Sequence, residues 1–147
     1  MDWTKPALPP SDAPDVVARW LRDRECVKQL MQRYSYGVDT RDFAVVRSVF
    51  HPDCRVEGTL EDGALEPYLE GIEEGIQQWA ATFHFVGNQY VELDGERGHM
   101  ESWCLGYHME AEDSPIDDVA FRSMGCTPSA TAVFRTRPSI GAGKGLV

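Results

Sequence analysis

The sequence is poor in positive charge. Its 147 residues hold 14 lysines and arginines against 24 aspartates and glutamates, a net charge of −10 at neutral pH. Nucleic acid and anionic membrane surfaces both require basic patches, so neither is expected as a partner. Long hydrophobic runs are missing too: none approaches the ~20 residues of a membrane-spanning helix. Met1 to Pro14 lacks the basic-then-apolar pattern of a secretion signal, so the expected location is the cytoplasm. Cysteine is sparse and badly placed for chemistry. Cys26, Cys54, Cys104 and Cys126 have no CxxC or other ligand spacing, and small buried hydrophobes are expected rather than disulfides or zinc. Gly141-Ala142-Gly143-Lys144-Gly145 looks like a phosphate loop only at first sight. It lacks the strand before, the helix after and the Ser/Thr after the lysine.

What is present fits one globular domain with a core of its own. Hydrophobic residues at 42% and charged residues at 26% are ordinary for that class, and the length is sufficient without staples. The reading places a Pro-rich arm at 1–13, a domain at 14–137 and a tail of small residues at 138–147.

Along the chain the period changes once. Val17, Trp20 and Leu21, then Val27, Leu30, Met31, Tyr34 and Val38, recur at helical spacing after Pro14. Asp23 is expected to divide them into a short and a long helix. Phe43 to Phe50 is the second helix proper, capped by Thr40 or Asp42 and stopped by His51-Pro52-Asp53. Cys54 to Leu60 reads as a short strand. The third helix is placed from Gly71 to Thr82, on Ile72, Ile76 and Trp79. Alternation follows: Asn88 to Leu93, a turn at Asp94-Gly95, then His99 to Met109, as an antiparallel hairpin. Helices first and strands later predict an α+β fold, with helices packed on one face of a curved antiparallel sheet.

Several polar residues sit at the edges of apolar elements. Asp39 lies at a helix C-terminus, where the macrodipole disfavours a carboxylate, and Asp42 is available for the neighbouring cap. His84 follows the third helix and leads into the sheet. A carboxylate beside an imidazole fixes its tautomer and makes it a better base. Tyr34 lies on the inward stripe and can donate to a developing oxyanion. Tyr36, Tyr107, His108 and Trp79 are the candidate substrate contacts. Alternation sends one of Tyr107 and His108 inward and the other outward, and a single bulge reverses the choice. His51 and His99, at a turn and a hairpin start, are expected to face solvent. Zinc on Asp39, His84 and His108 is disfavoured, because no pair has ligand spacing.

The elements Val27 to Tyr34, Val38-Asp39-Thr40-Arg41-Asp42-Phe43, Val49-Phe50-His51-Pro52-Asp53 and His84 to Asn88 occur in a telling order. With Val91-Glu92-Leu93-Asp94-Gly95 and Glu101-Ser102-Trp103, the chain resembles the SnoaL-like branch of the nuclear transport factor 2-like superfamily. Scytalone dehydratase, bile-acid dehydratase and hexachlorocyclohexane dehydrochlorinase are members of that group. The resemblance implies an α+β cone around an apolar pocket. It implies Asp39 and His84 as an acid–base dyad, Tyr34 as its assistant, no cofactor and no metal. The implied reaction is elimination or double-bond isomerisation on a small, mostly apolar cyclic molecule. A binding or assembly subunit, or an inactive remnant, is the alternative, and a homo-oligomer (dimer or trimer) is expected.

The resemblance fades after Phe121 to Gly125. Only Thr131 to Thr136 reads as a strand beyond that point, so the pocket wall is expected to be incomplete there. A change of reading frame fits, since 11 arginines against 3 lysines suggest GC-rich coding. A partner subunit that completes the sheet fits as well.

Overall fold

Helix α1, Pro14–Thr40, organises the molecule. Proline occupies its first turn, where the missing N–H costs nothing and φ is already set. The structure, a computed structural model, describes residues 4–56, 63–95 and 97–109, and the backbone alone of 122–135. The division expected at Asp23 does not occur. The apolar stripes before and after that residue are in phase, and Asp23 pairs with Arg22 at 2.7 Å instead of capping a new helix. One helix of 27 residues results.

Arg41 ends α1 in the left-handed conformation, φ 57°, and its amide bonds back to Val38 O at 3.2 Å. Asp42 then caps α2, Phe43–Ser48, by accepting from the Val45 N–H at 3.1 Å. The two helices cross closely at Gly37, where a Cβ would stand 2.8 Å from Val46 Cγ2. Strands β1, Arg55–Val56, and β2, Gly63–Ala64, pair antiparallel. The rest of the strand expected to Leu60 lies outside the described residues.

Helix α3 spans Leu65–Gln77, starting six residues before and ending five residues before the range expected from the sequence. Its buried residues are Leu65, Leu69 and Ile76, and Pro67 sits in the first turn, where a helix tolerates it. The C-terminal end gives way because Ala81 onward is strand. Thr82, Phe83, Phe85 and Val86 are β-branched or aromatic and favour a pleated surface over a helix.

The sheet is a meander of β3 (Ala81–Asp94), β4 (Arg97–Met109) and β5 (Arg122–Arg135), in that order and antiparallel. Gly95 turns the β3–β4 hairpin at φ 57°, as Asp94-Gly95 predicts. A bulge between Gly87 and Tyr90, with Asn88 at φ 48°, bends β3. β5 corrects the expectation of a short strand at Thr131 to Thr136. It pairs with β4 from Arg97↔Arg135 to His108↔Arg122, so the segment expected to hold one short strand forms the third long one.

The core has two parts. Val27, Leu30, Val49, Val91 and Met100 join α1 to the sheet; Val38, Val46, Leu65, Leu69 and Ile76 join the three helices. Tyr34 and Phe50 touch both. The arrangement is α+β, as the sequence predicts. No helix among the described residues is long and apolar enough to cross a membrane.

Candidate active site

Asp39 lies in the last turn of α1 and His84 in β3, and packing of the helix across the strand brings them together. Asp39 Oδ1 is 2.6 Å from His84 Nδ1, while Oδ2 accepts the backbone N–H of His84 at 2.8 Å. Thr82, two residues earlier on the same strand face, donates its hydroxyl to Oδ1 at 3.0 Å. Three donors from one strand thus compensate a carboxylate that its own helix end disfavours. The side chains are 14% (His84) and 19% (Asp39) exposed, so the pair is mostly withdrawn from water but reachable.

The geometry fixes the imidazole. An ionised carboxylate can only accept, so Nδ1 carries the hydrogen and Nε2 keeps its lone pair. Among the described residues nothing bonds to Nε2, which lies over Gly106, the residue opposite His84 in the register. A Cβ at Gly106 would stand 3.2 Å from both His84 Nε2 and Cδ2 and 3.4 Å from His108 Cε1. A side chain here would press on both imidazoles, which would have to give by a few tenths of an ångström.

His108 is the inward member of the Tyr107–His108 choice. Along β4 the even positions Gly98, Met100, Ser102, Gly106 and His108 are buried and Cys104 between them is half-buried, so the parity does not reverse. Its ring stands edge-on to His84, 5.5 Å between centroids, and Trp79 flanks it at 5.1 Å. It is 9% exposed, and Nδ1 has no hydrogen-bond partner among the described residues. Burial holds its pKa below the ordinary histidine value; His84 lowers it further, and Asp39 opposes the shift.

Tyr34 is inside, its hydroxyl 3.1 Å from that of Tyr68, with Phe50 edge-on at 5.9 Å. Burial pushes its phenol well above the ordinary range and Tyr68 adds to the shift, so the phenol stays protonated at neutral pH, and its hydroxyl meets Tyr68 rather than the Asp39–His84 pair. Two expected contacts are not brought to the pair. Tyr36 is 62% exposed on α1, and Tyr107 faces the other side of the sheet, 6.4 Å from Phe83. Trp79 lies in the α3–β3 connection, past the helix that was to carry it. His51 stays at the surface with a 40% exposed side chain, whereas His99 does not match the expectation: its Nε2 is buried. Thr82, Gly106 and Tyr68 were missed by sequence reasoning. Strand alternation from His84 would have found Thr82; the other two depend on contacts across the fold.

A separate cleft of about 290 Å³ opens between α2 and α3, lined by Phe43, Ala44, Val46, Arg47, Leu69 and Glu73. It holds none of the residues above. Among the described residues no group of three or more His, Cys, Asp or Glu is placed to hold a metal ion.

Comparison with known proteins agrees with this architecture. A protein of Kribbella flavida superposes with a TM-score of 0.67 at 17% identity, covering 86% of this chain and 90% of that one. A nuclear transport factor 2-like protein with a cystatin-like fold from Novosphingobium aromaticivorans gives 0.56 at 18%, covering 90% and 87%. A candidate scytalone dehydratase of the same species gives 0.57 at 16%, covering 84% and 99%. These likenesses show the fold alone. No curated protein matches the chain. A family model described as SnoaL-like domain matches residues 19–133, well beyond the point where the sequence resemblance fades and through most of β5. The chain belongs to the SnoaL-like domain family.

Proposed function

We propose that the protein is a cofactor-independent lyase or isomerase, dehydratase-like, acting on a small and mostly apolar cyclic substrate. The reading is carried by one observation: a carboxylate held by three strand donors, 2.6 Å from His84 Nδ1, leaving Nε2 without a partner among the described residues. Nε2 takes the proton of an acidic C–H, and the freed electron pair forms a double bond. In elimination the pair expels hydroxide from the neighbouring carbon, which collects the proton from the imidazolium and leaves as water. In isomerisation the same proton returns to a different carbon. Asp39 stabilises the imidazolium in either case. Tyr34 supplies a neutral hydrogen bond to a carbonyl or leaving hydroxyl. Candidate dehydratases among the proteins of similar fold support this by analogy, which is weaker than the geometry.

The test is a panel of hydroxylated cyclic compounds with mass detection of water loss. Turnover by the protein and at least a 1,000-fold loss in His84→Ala, on the order expected for removing a catalytic base, supports the reading. Equal turnover in the variant ends it.

A different observation supports the expected homo-oligomer. The outer sheet face exposes Phe83, Phe85, Trp103 and Met109, at 58%, 61%, 42% and 47%. Apolar patches of that kind mark interaction surfaces, and a second copy of the chain is the proposed occupant. Sedimentation should show a dimer or trimer that Phe85→Asp converts to monomer. A wild-type monomer at high concentration would remove the support.

A further inference from the structure

We infer that Arg41, outside the site, is a positioning residue for the Asp39–His84 pair. The inference deepens the dyad reading and rests on it. Arg41 Nη2 donates to Trp79 O at 2.6 Å and Ala80 O at 3.1 Å, the last two carbonyls before β3 begins. Ala80 in turn donates its N–H to Met109 O, the end of β4, at 2.8 Å. Two residues before Arg41, Asp39 grips the same strand at Thr82 and His84. The end of α1 therefore clasps the start of β3 at two levels, and only the lower clasp belongs to the dyad itself.

The upper clasp fixes what the lower one needs. His84 Nδ1 and the His84 N–H must reach two oxygens of one carboxylate, so a slide of β3 along α1 breaks both at once. The same connection carries Trp79, whose ring supports His108 beside the His84 imidazole. Arg41 reaches all of this without touching either ring.

The backbone separates this role from a capping role. Arg41 sits at φ 57°, where glycine is the favoured residue of a helix C-terminal turn. A cap alone would be served better by glycine. The arginine side chain is what the strained position retains.

Three variants test it: Arg41→Gly, Arg41→Lys and Arg41→Ala. The primary readout needs no substrate. Nitrogen-15 and proton NMR of the histidines report the Nδ1–H tautomer of His84 and its downfield proton bonded to Asp39. Arg41→Gly should melt no lower than wild type, since the turn is relaxed, yet lose or broaden that proton. Arg41→Lys should restore it in part, and Arg41→Ala should behave as glycine does but with lower stability. On a substrate, kcat should fall by up to about 100-fold with a smaller change in KM, as for ~1 Å misplacement of a catalytic group. An unchanged His84 signal in Arg41→Gly overturns the inference. A loss of signal in proportion to a fall in melting temperature, equal across the variants, overturns it as well. Absence of the bonded proton in the wild type is a separate result, and it overturns the dyad reading beneath.

Discussion

Asp39→Asn replaces one carboxylate oxygen by an NH2 group and should disable the site by inverting a tautomer. The aspartate accepts three hydrogen bonds, from His84 Nδ1 at 2.6 Å, His84 N–H at 2.8 Å and the Thr82 hydroxyl at 3.0 Å. Asparagine has one accepting oxygen and a donating NH2. If the oxygen keeps the Oδ1 place, the NH2 faces the backbone N–H of His84, donor against donor. If the amide flips, the NH2 faces Nδ1, which must then accept, so the hydrogen moves to Nε2 and the base is lost. Both arrangements forfeit a charge-assisted bond worth about 1.5–3 kcal/mol, and the first adds an unsatisfied donor. Partial exposure of the pair, 14% and 19%, places the net loss toward about 2 kcal/mol. For a chain of this size that is a fall of about 4–8 °C in melting temperature, with the fold retained. The catalytic cost is larger, about 10³–10⁴-fold in kcat, the scale on which a wrong tautomer acts. Differential scanning calorimetry, histidine nitrogen-15 NMR and the water-loss assay measure the three consequences separately. A variant that keeps Nδ1–H and turns over within tenfold of wild type would falsify the argument.

Two further perturbations read other parts of the structure. Gly37→Ala ought to gain about 1 kcal/mol of helix propensity, but its Cβ would meet Val46 Cγ2 at 2.8 Å and Asp42 O at 3.0 Å. Overpacking should win, with a net loss of about 1–2 kcal/mol in urea unfolding; a stabilised variant would mean that α1 and α2 do not cross as described. His108 gives a pH signature. Its folded pKa is lowered by burial, then by His84, so the unfolded chain binds the proton first as pH falls below the ordinary histidine value of about 6.5. Stability attributable to this ring is therefore unaffected above that pH. It declines as pH drops from there toward the folded pKa. His108→Asn should flatten that part of the stability profile relative to wild type, and parallel profiles would show that the ring is not held neutral.

The parts of the fold legible in the sequence are those set by neighbours a few residues away. Asp42 as the cap of α2, Asp94-Gly95 as the hairpin turn and Asp39 at a helix end all follow from local chemistry. The boundaries that failed have a common cause. Asp23 costs a helix only a few tenths of a kcal/mol, too little to divide one whose apolar stripes stay in phase on both sides. α3 begins at Leu65 without a polar cap, since the N-terminal flanking residue is Ala64, so only the weaker first-turn signals of Glu66 and Pro67 mark its start. The approach of Asp39 to His84 spans 45 residues and depends on how α1 lies on β3. His108 over Tyr107 depends on strand parity, which the bulge in β3 leaves intact in β4. The first half of β5 is not legible because Gly125 and Pro128 break its propensity pattern, while pairing with a long β4 overrides it.

The position of Asp39 has a consequence for the proposed chemistry. The last turn of α1 carries no basic side chain, and the guanidinium of Arg41 just beyond it is engaged by Trp79 O and Ala80 O, so the negative end of the dipole still acts on what lies beside it. At rest this end faces a carboxylate, which is unfavourable, and three donors from β3 offset the repulsion. Proton uptake by His84 reverses the balance. The resting pair carries one negative charge against a negative helix end; the protonated pair carries none in sum, with its positive member bonded to Asp39. The surroundings are thus better matched to the pair after proton transfer than before it. Interactions that improve as the reaction proceeds lower its barrier, whereas those equal in both states only bind. A carboxylate in a poor resting position is, on this reasoning, the feature that makes the imidazole a useful base.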